Sequence, residues 1–218
     1  RCAAAAKVPG VTMTAPPRMQ EYPGRGGGPV IRVRGCNFFD PDGTLIAIDG
    51  KVVGRRFDGC FYMQEVDRTE GIRVLSSSTA ATEGKVVNVI GTVGTLPTGE
   101  KQIVAQVVGV AGSGDARPLA MGVRDLGGVA ASGGPGVYQG LGPNNVGLLV
   151  RVFGKVTHVG PDSIYVDDGS GLSDGSGQVG AKVRLHGLAA PRLNQYVGVT
   201  GISGIESIGG RSVRVVLV

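Results

Sequence analysis

The sequence has no tryptophan, and aromatic residues make up only 5% of its 218 positions. Histidine occurs twice and cysteine three times, and no two cysteines have the CxxC spacing. A structural zinc site needs four clustered Cys or His ligands, so we predict no metal site, and no sequence signal calls for a cofactor. No apolar run reaches the length of a membrane-spanning helix.

Signatures of catalysis are also missing. The sequence contains no nucleophilic triad motif, no phosphate-binding loop and no zinc-hydrolase motif. Paired carboxylates occur only in predicted loops, and His158 and His186 are far apart in the sequence. A general acid/base pair therefore has no support, and we expect a protein that is not an enzyme.

The three cysteines give an indication of the redox compartment of the protein. Cys36 lies just before the first predicted β-unit and Cys60 opens its second strand, so the two could form a disulfide in an oxidising compartment. Two small buried side chains are an equal alternative. Cys2 would be free or would join two chains. Because the chain begins at Arg1, which indicates a processed product or a trimmed segment, we expect an extracellular or cell-surface protein.

What the sequence does contain is an internal repeat, set in a chain with 40 glycines. Residues 85–108 align with residues 195–218 without a gap, and residues 45–52 resemble residues 149–156. The register matches Val87 with Val197, Val89 with Val199, Gly91 with Gly201, Gly94 with Gly204 and Gly99 with Gly209. Each unit has five strand signals in the same order, so the chain contains one β-unit twice.

The repeat predicts an all-β protein with two five-stranded barrels in tandem. Strands are expected near residues 44–56, 60–66, 71–75, 85–95 and 100–111, and again near 148–158, 163–168, 181–186, 195–204 and 210–218. The chain then divides into an extended N-terminal arm (1–42), a first barrel (43–111), a glycine-rich segment (112–147) and a second barrel (148–218). The glycine-rich segment is either a linker or a loop packed over a barrel.

The order of elements resembles the OB-fold, in which a long curled first strand is followed by a hairpin, a short connection and a second hairpin. Glycine allows the strands of such a barrel to bend sharply at its corners. The glycines expected at these bends are Gly50, Gly91, Gly154 and Gly201.

The chain also resembles the paired OB-like domains of secreted and envelope proteins of some bacteria, over roughly residues 40–218. The resemblance rests on GLLVRVFGKVT (147–157), IYVDDGSG (164–171) and RPLAMGVRDLGG (117–128). It implies two OB-like barrels and is nearly silent on function. The short stretches 76–84 and 186–194 depart from the usual OB domain, which has a helix between its third and fourth strands.

The arm carries most of the excess charge. Residues 1–40 have six basic and two acidic residues, which accounts for +4 of the net charge of +5. Within it, Val30, Ile31, Arg32, Val33 and Arg34 alternate apolar and basic side chains, which predicts a short strand able to add to a sheet edge.

Because the arm is long enough to reach a neighbouring molecule, we expect a homo-oligomer or polymer, such as a filament, built by β-augmentation. The alternative is that the arm folds back on its own barrels.

Strand alternation places Phe61, Met63, Ile164 and Val166 in the cores and turns another set of side chains outward. The outward set forms a candidate ligand face: Tyr62, Arg73, Tyr165, Arg184, Lys51 and Lys155. Aromatic and basic side chains on an OB barrel suit single-stranded nucleic acid, and a glycan is a further alternative. The opposing interpretation is that tyrosine and arginine merely cover each other on a solvated face, beside acidic residues that would repel phosphate.

Overall fold

A computed structural model describes residues 31–33, 41–130 and 134–218, with the backbone alone described for residues 31–33. In these ranges the chain is nearly all β, which confirms the predicted fold class. The strands are β1 (Ile31–Val33), β2 (Leu45–Phe57), β3 (Cys60–Gln64), β4 (Gly71–Leu75), β5 (Lys85–Thr95), β6 (Lys101–Ser113), β7 (Leu119–Ala120), β8 (Leu149–Val159), β9 (Ser163–Asp167), β10 (Ala181–Arg184), β11 (Tyr196–Ile208) and β12 (Arg211–Leu217).

The first sheet closes on itself. Its strands follow the order β2-β3-β4-β6-β5, and β5 pairs again with β2. The pair β4–β6 is parallel, whereas the other pairs of this ring are antiparallel. This ring of five strands, in which the third pairs with the fifth, is the OB-like barrel expected from the sequence.

The second sheet repeats the first. The order β8-β9-β10-β12-β11 closes through β11–β8, and β10–β12 is the parallel pair. The register repeats as well, since Ile48 lies opposite Val89 in the first barrel and Val152 lies opposite Val199 in the second.

The glycines shared by the two barrels have a steric reason. A Cβ at Gly91 would collide with the carbonyl oxygen of Val104, and a Cβ at Gly201 would collide with that of Leu217. At both positions the neighbouring strand comes so close that a side chain has no room, so glycine is needed at the same place in each unit.

Each barrel encloses its own apolar core. As predicted from strand alternation, Phe61 and Met63 lie in the first core, and Ile164 and Val166 lie in the second. Both cores consist mainly of valine and isoleucine, which suit the pleated surface of a strand.

The two units also carry an additional parallel strand at the same place. β1 pairs with β2, with Ile31 opposite Ile46, and β7 pairs with β8, with Leu119 opposite Val150. Because residues 46 and 150 are equivalent in the repeat, the segment that precedes each barrel adds a strand to the barrel's first strand.

The described part of the glycine-rich segment packs on the second barrel. Val123 and Leu126 are fully buried in the second core, beside a single turn of 3-10 helix at Val123–Asp125. Further along, the buried guanidinium of Arg214 donates to the carbonyl oxygens of Tyr138 (2.9 Å) and Gln139 (3.1 Å). The segment therefore packs on the second barrel at Val123, Leu126, Tyr138 and Gln139.

The two barrels are in direct contact. Leu149 and Ile202 of the second barrel pack against Tyr62 of the first, and the Oε1 atom of buried Gln64 accepts the N–H of Leu149 at 2.9 Å. Backbone meets backbone at Gly71, where a Cβ would overlap the carbonyl group of Gly147. This contact covers part of the first barrel's outer surface.

Helical structure is scarce. Neither 76–84 nor 186–194 contains the helix found between the third and fourth strands of a usual OB domain. Among the described residues, the turn at Val123–Asp125 is the one helical element, and no helix there is long and apolar enough to cross a membrane.

Candidate functional site

Tyr62, the aromatic residue of the candidate ligand face in the first barrel, is covered. Its side chain points away from the core of its own barrel, as alternation requires, but only 3% of it is exposed. It packs between Leu149 and Ile202 and makes an edge-on contact with the ring of Phe57, 6.1 Å between centroids. Strand alternation predicts which side chains point out of the barrel, but not whether a second barrel covers them. For this reason we predicted an exposed Tyr62, whereas its side chain is buried.

A buried polar cluster surrounds Tyr62. Its hydroxyl lies near Glu100, a carboxyl group that is only 6% exposed and whose Oε1 atom has no hydrogen-bond partner in the described residues. Burial raises the pKa of Glu100 to about 7, although the hydrogen bond from Tyr62 and the charge of Arg73 act to lower it. Arg73 itself donates to the side-chain oxygen of Gln102. Tyr62 and Arg73 are thus engaged within the protein.

The lysine predicted for this face is also engaged. Lys51 is buried and forms an ion pair with Glu65, with 2.6 Å between Nζ and Oε1. A buried lysine needs such a partner because its charge is costly to desolvate. The structure therefore brings Tyr62, Arg73 and Lys51 into internal contacts of the first barrel.

The same pattern holds on the second barrel. Tyr165 is buried, and burial raises the pKa of its hydroxyl, which lies near Asp174 and Ser176. Arg184 contacts Glu206, with 2.5 Å between Nε and Oε1, and lies 3.7 Å from Asp162.

Burial acts to raise the pKa of Glu206, but hydrogen bonds from Arg184 and Lys182 lower it overall, so its carboxylate neutralises this cluster at neutral pH. Of the predicted set, Arg73 and Lys155 are half-exposed and have no ion pair within the described ranges, and Arg73 donates a hydrogen bond to Gln102.

The predicted assembly strand lies at the edge of the first barrel. Its described part, Ile31–Val33, pairs in parallel with residues 46–48 of β2 in the same chain. Val30 and Arg34 lie outside the described residues. The described part of the arm thus pairs with its own barrel, as the folded-back alternative expects, and addition of this strand to a neighbouring molecule stays a prediction.

Cys60, one member of the suggested disulfide, is buried at the start of β3 and has no disulfide to any described residue. Its suggested partner Cys36 lies outside the described residues, and so does Cys2. The pairing of the cysteines stays a prediction.

Sequence reasoning missed an exposed aromatic pair. Phe153 on β8 is 58% exposed and Tyr196 on β11 is 78% exposed, and both lie on the outer surface of the second barrel. The guanidinium of Arg151 lies 5.2 Å from the centre of the Phe153 ring. The signal was present in the sequence, because the alternation that buries Val152 turns Arg151 and Phe153 outward.

An open strand edge was missed as well. β6 pairs with β4 only at residues 102–104, whereas residues 105–113 have β5 on one side and, in the part of the chain that the structure describes, no strand on the other. No residue from 102 to 113 is charged, and Val107 is 54% exposed.

The described ranges contain no group of three His, Cys, Asp or Glu side chains that could hold a metal ion. Asp167 and Asp168, the one adjacent acidic pair in the second barrel, are used locally. Asp168 accepts the N–H of Val123 at 2.8 Å, and Asp167 accepts the N–H of Gly171 at 3.0 Å. These hydrogen bonds stabilise a hairpin loop and the 3-10 turn.

Comparison with protein-family models and with curated proteins gives no match for this chain.

Proposed function

We propose that this protein is a non-catalytic, extracellular structural protein that assembles with copies of itself by exchanging the arm strand β1. It would belong with the paired OB-like domains of secreted and envelope proteins. In the proposed assembly, β1 of one copy pairs with β2 of the next in the same register that it adopts within one chain. A contact that passes from one copy to the next in this way produces a filament if it does not close into a ring.

The observation that carries the proposal is the pairing of β1 with β2. Three residues of the arm join the barrel through main-chain pairing, with Ile31, Arg32 and Val33 opposite Ile46, Ala47 and Ile48. Eleven residues, 34–44, connect β1 to β2. Because main-chain hydrogen bonds do not distinguish one copy from another, the same strand can complete a neighbouring barrel.

The open edge of β6 supports the same mode of association. An exposed, uncharged edge without proline or lysine is normally avoided, because it recruits strands from other molecules. Residues 105–113 have none of these protective residues. Two bulges, at Gln106 and Ala111, interrupt the pairing with β5 and leave the stretch 107–110 regular.

The alternative, nucleic-acid or glycan binding by the predicted face, has less support. Tyr62, Lys51 and Tyr165 are buried, and Arg184 is paired with a carboxylate. A ligand at that face would have to displace the second barrel or break an ion pair. We therefore prefer assembly.

A cysteine pair tests the proposal. The double variant Arg32→Cys/Ala47→Cys places two thiols directly opposite each other, within the reach of a disulfide, in a background with Cys2→Ser and Cys36→Ser. We expect mild oxidation to give a ladder of covalent multimers on a non-reducing gel. Replacing the second position by Val66→Cys, an exposed site away from β2, gives the matched control.

Oxidising the double variant at several protein concentrations distinguishes strand exchange between molecules from strand pairing within one molecule. If the strand is exchanged, the multimer fraction should increase with protein concentration, since the intramolecular contact competes at an effective concentration of order mM. A product that stays monomeric at every concentration would rule out exchange. Light scattering of a variant lacking residues 1–34 gives a second readout, because assembly through the arm requires that variant to stay monomeric.

A further inference from the structure

The outer surface of β8 and β11 carries the two most exposed aromatic side chains of the described residues. Arg151, Phe153 and Lys155 point outward from β8, and Tyr196 points outward from the start of β11. We call these four residues the aromatic–basic face. Both aromatic rings are more than half exposed, although a soluble domain normally keeps such large apolar surfaces covered.

The rings are held in place by the sheet. Phe153 lies opposite Gly198, and its ring covers that glycine so closely that a Cβ there would come within 2.8 Å of the ring. Tyr196 lies opposite Lys155, on the diagonal from Phe153, where side chains of neighbouring strands are about 7–8 Å apart. The face therefore presents two aromatic groups side by side, each with a basic neighbour.

The first barrel shows that the fold does not require this surface. In the repeat, Ala47 and Asp49 stand where the second barrel has Arg151 and Phe153, and Val86 stands where it has Tyr196. Both barrels close with the same strand order. The aromatic–basic face is thus an addition to a shared framework, and packing alone does not explain it.

The parts of the two strands and the loop that form the face carry basic residues and no acidic residue. Residues 147–159 and 185–205, which include β8, the loop before β11 and most of β11, contain no Asp or Glu. They add the exposed Arg192 in the turn that leads into β11. An opposing charge comes from Asp167, which lies opposite Lys155 on β9 and accepts the N–H groups of its own loop at Gly169 and Gly171.

We propose that the aromatic–basic face binds single-stranded nucleic acid, with bases stacked on Phe153 and Tyr196 and phosphates near Arg151, Lys155 and Arg192. Every base offers a flat face to an aromatic side chain, so such binding tolerates different sequences. Three basic side chains with Asp167 as a neighbouring carboxylate leave a positive surplus, which suits a polyanion better than a neutral glycan that has no charge to neutralise. This inference does not depend on strand exchange, since the face lies on the second barrel.

The test uses the full chain and a fluorescein-labelled oligothymidylate of roughly 16 nucleotides, with binding followed by fluorescence anisotropy. If three phosphates are neutralised, the logarithm of the binding constant should fall against the logarithm of salt concentration with a slope of about −2. Tyr196→Val installs the residue that the first barrel has at this position, so the variant should fold. It should lower the affinity roughly 5- to 150-fold, as the loss of one stacking platform does.

The controls distinguish binding at this face from nonspecific attraction of nucleic acid to a basic protein. Lys155→Ala should weaken binding, whereas Lys85→Ala, which removes a partly exposed base of the first barrel, should not. Phe153→Ala should also weaken binding, and circular dichroism shows whether that variant keeps its sheets. Equal losses for Lys85→Ala and Lys155→Ala would overturn the proposal, and so would unchanged affinity of Tyr196→Val. Binding of a heparin oligosaccharide without binding of the oligothymidylate would assign the face to an anionic glycan instead.

Discussion

Glu100 should make the protein less stable as the pH rises towards neutrality. Its carboxyl group is buried beside Tyr62, and burial raises its pKa from 4.5 in the unfolded chain to about 7. The folded protein therefore keeps a proton that the unfolded chain releases above pH 4.5, and the free energy of unfolding falls from that pH to about pH 7. A shift of this size corresponds to about 3 kcal/mol.

Glu100→Gln removes this dependence while keeping a side chain that can accept the hydrogen bond of Tyr62. We expect the variant to match the parent protein below pH 4.5 and to be more stable by about 3 kcal/mol above pH 7. Urea unfolding between about pH 4 and 8, followed by circular dichroism, measures the difference. Glu83→Gln makes the same chemical change at an exposed carboxyl group and is the control. A difference between Glu100→Gln and the parent that stays constant with pH would refute the reasoning.

Three further outcomes are expected. Gly91→Ala should cost about 1–3 kcal/mol of stability in urea unfolding because its Cβ would meet Val104, whereas Gly109→Ala, which has open space, should cost nothing. Gln64→Leu should cost about 1–3 kcal/mol, since it leaves the buried N–H of Leu149 without an acceptor, and a normal unfolding midpoint would contradict this. Val107→Lys should reduce self-association in analytical ultracentrifugation, because a charge on the open edge of β6 opposes strand addition, and unchanged association would exclude that edge.

The fold could be predicted in detail because the sequence contains the same β-unit twice. Each strand signal of one unit was checked by the corresponding signal in the other, and the glycines at positions 91 and 201 fixed the register. The predicted strand at 195–204 was too short, and it extends to Ile208. A two-residue turn at Gly209 and Gly210, both with positive φ, lets this hairpin continue further than the glycine pattern alone indicates.

The surroundings of the predicted side chains could not be obtained in the same way. Alternation along a strand distinguishes two faces, but it does not tell whether solvent, a loop or another barrel covers the outer one. Tyr62 is covered by the second barrel, and Tyr165 lies beneath its own loop near Asp174. The burial of Arg214 could not be predicted for the same reason. Its guanidinium is buried against the carbonyl groups of Tyr138 and Gln139, and nothing in the sequence of its strand indicates this.

The repeat also gives a physical criterion for separating function from fold. A feature present in both units, such as the glycines at positions 91 and 201, is explained by what a barrel of this kind needs. A feature present in one unit alone has to be explained otherwise, because its twin folds without it. By this criterion the aromatic–basic face of the second barrel stands out, because the first barrel closes without it. Exchanging Tyr196 for the valine of its twin tests this directly, since that change alters the surface and leaves the shared framework intact.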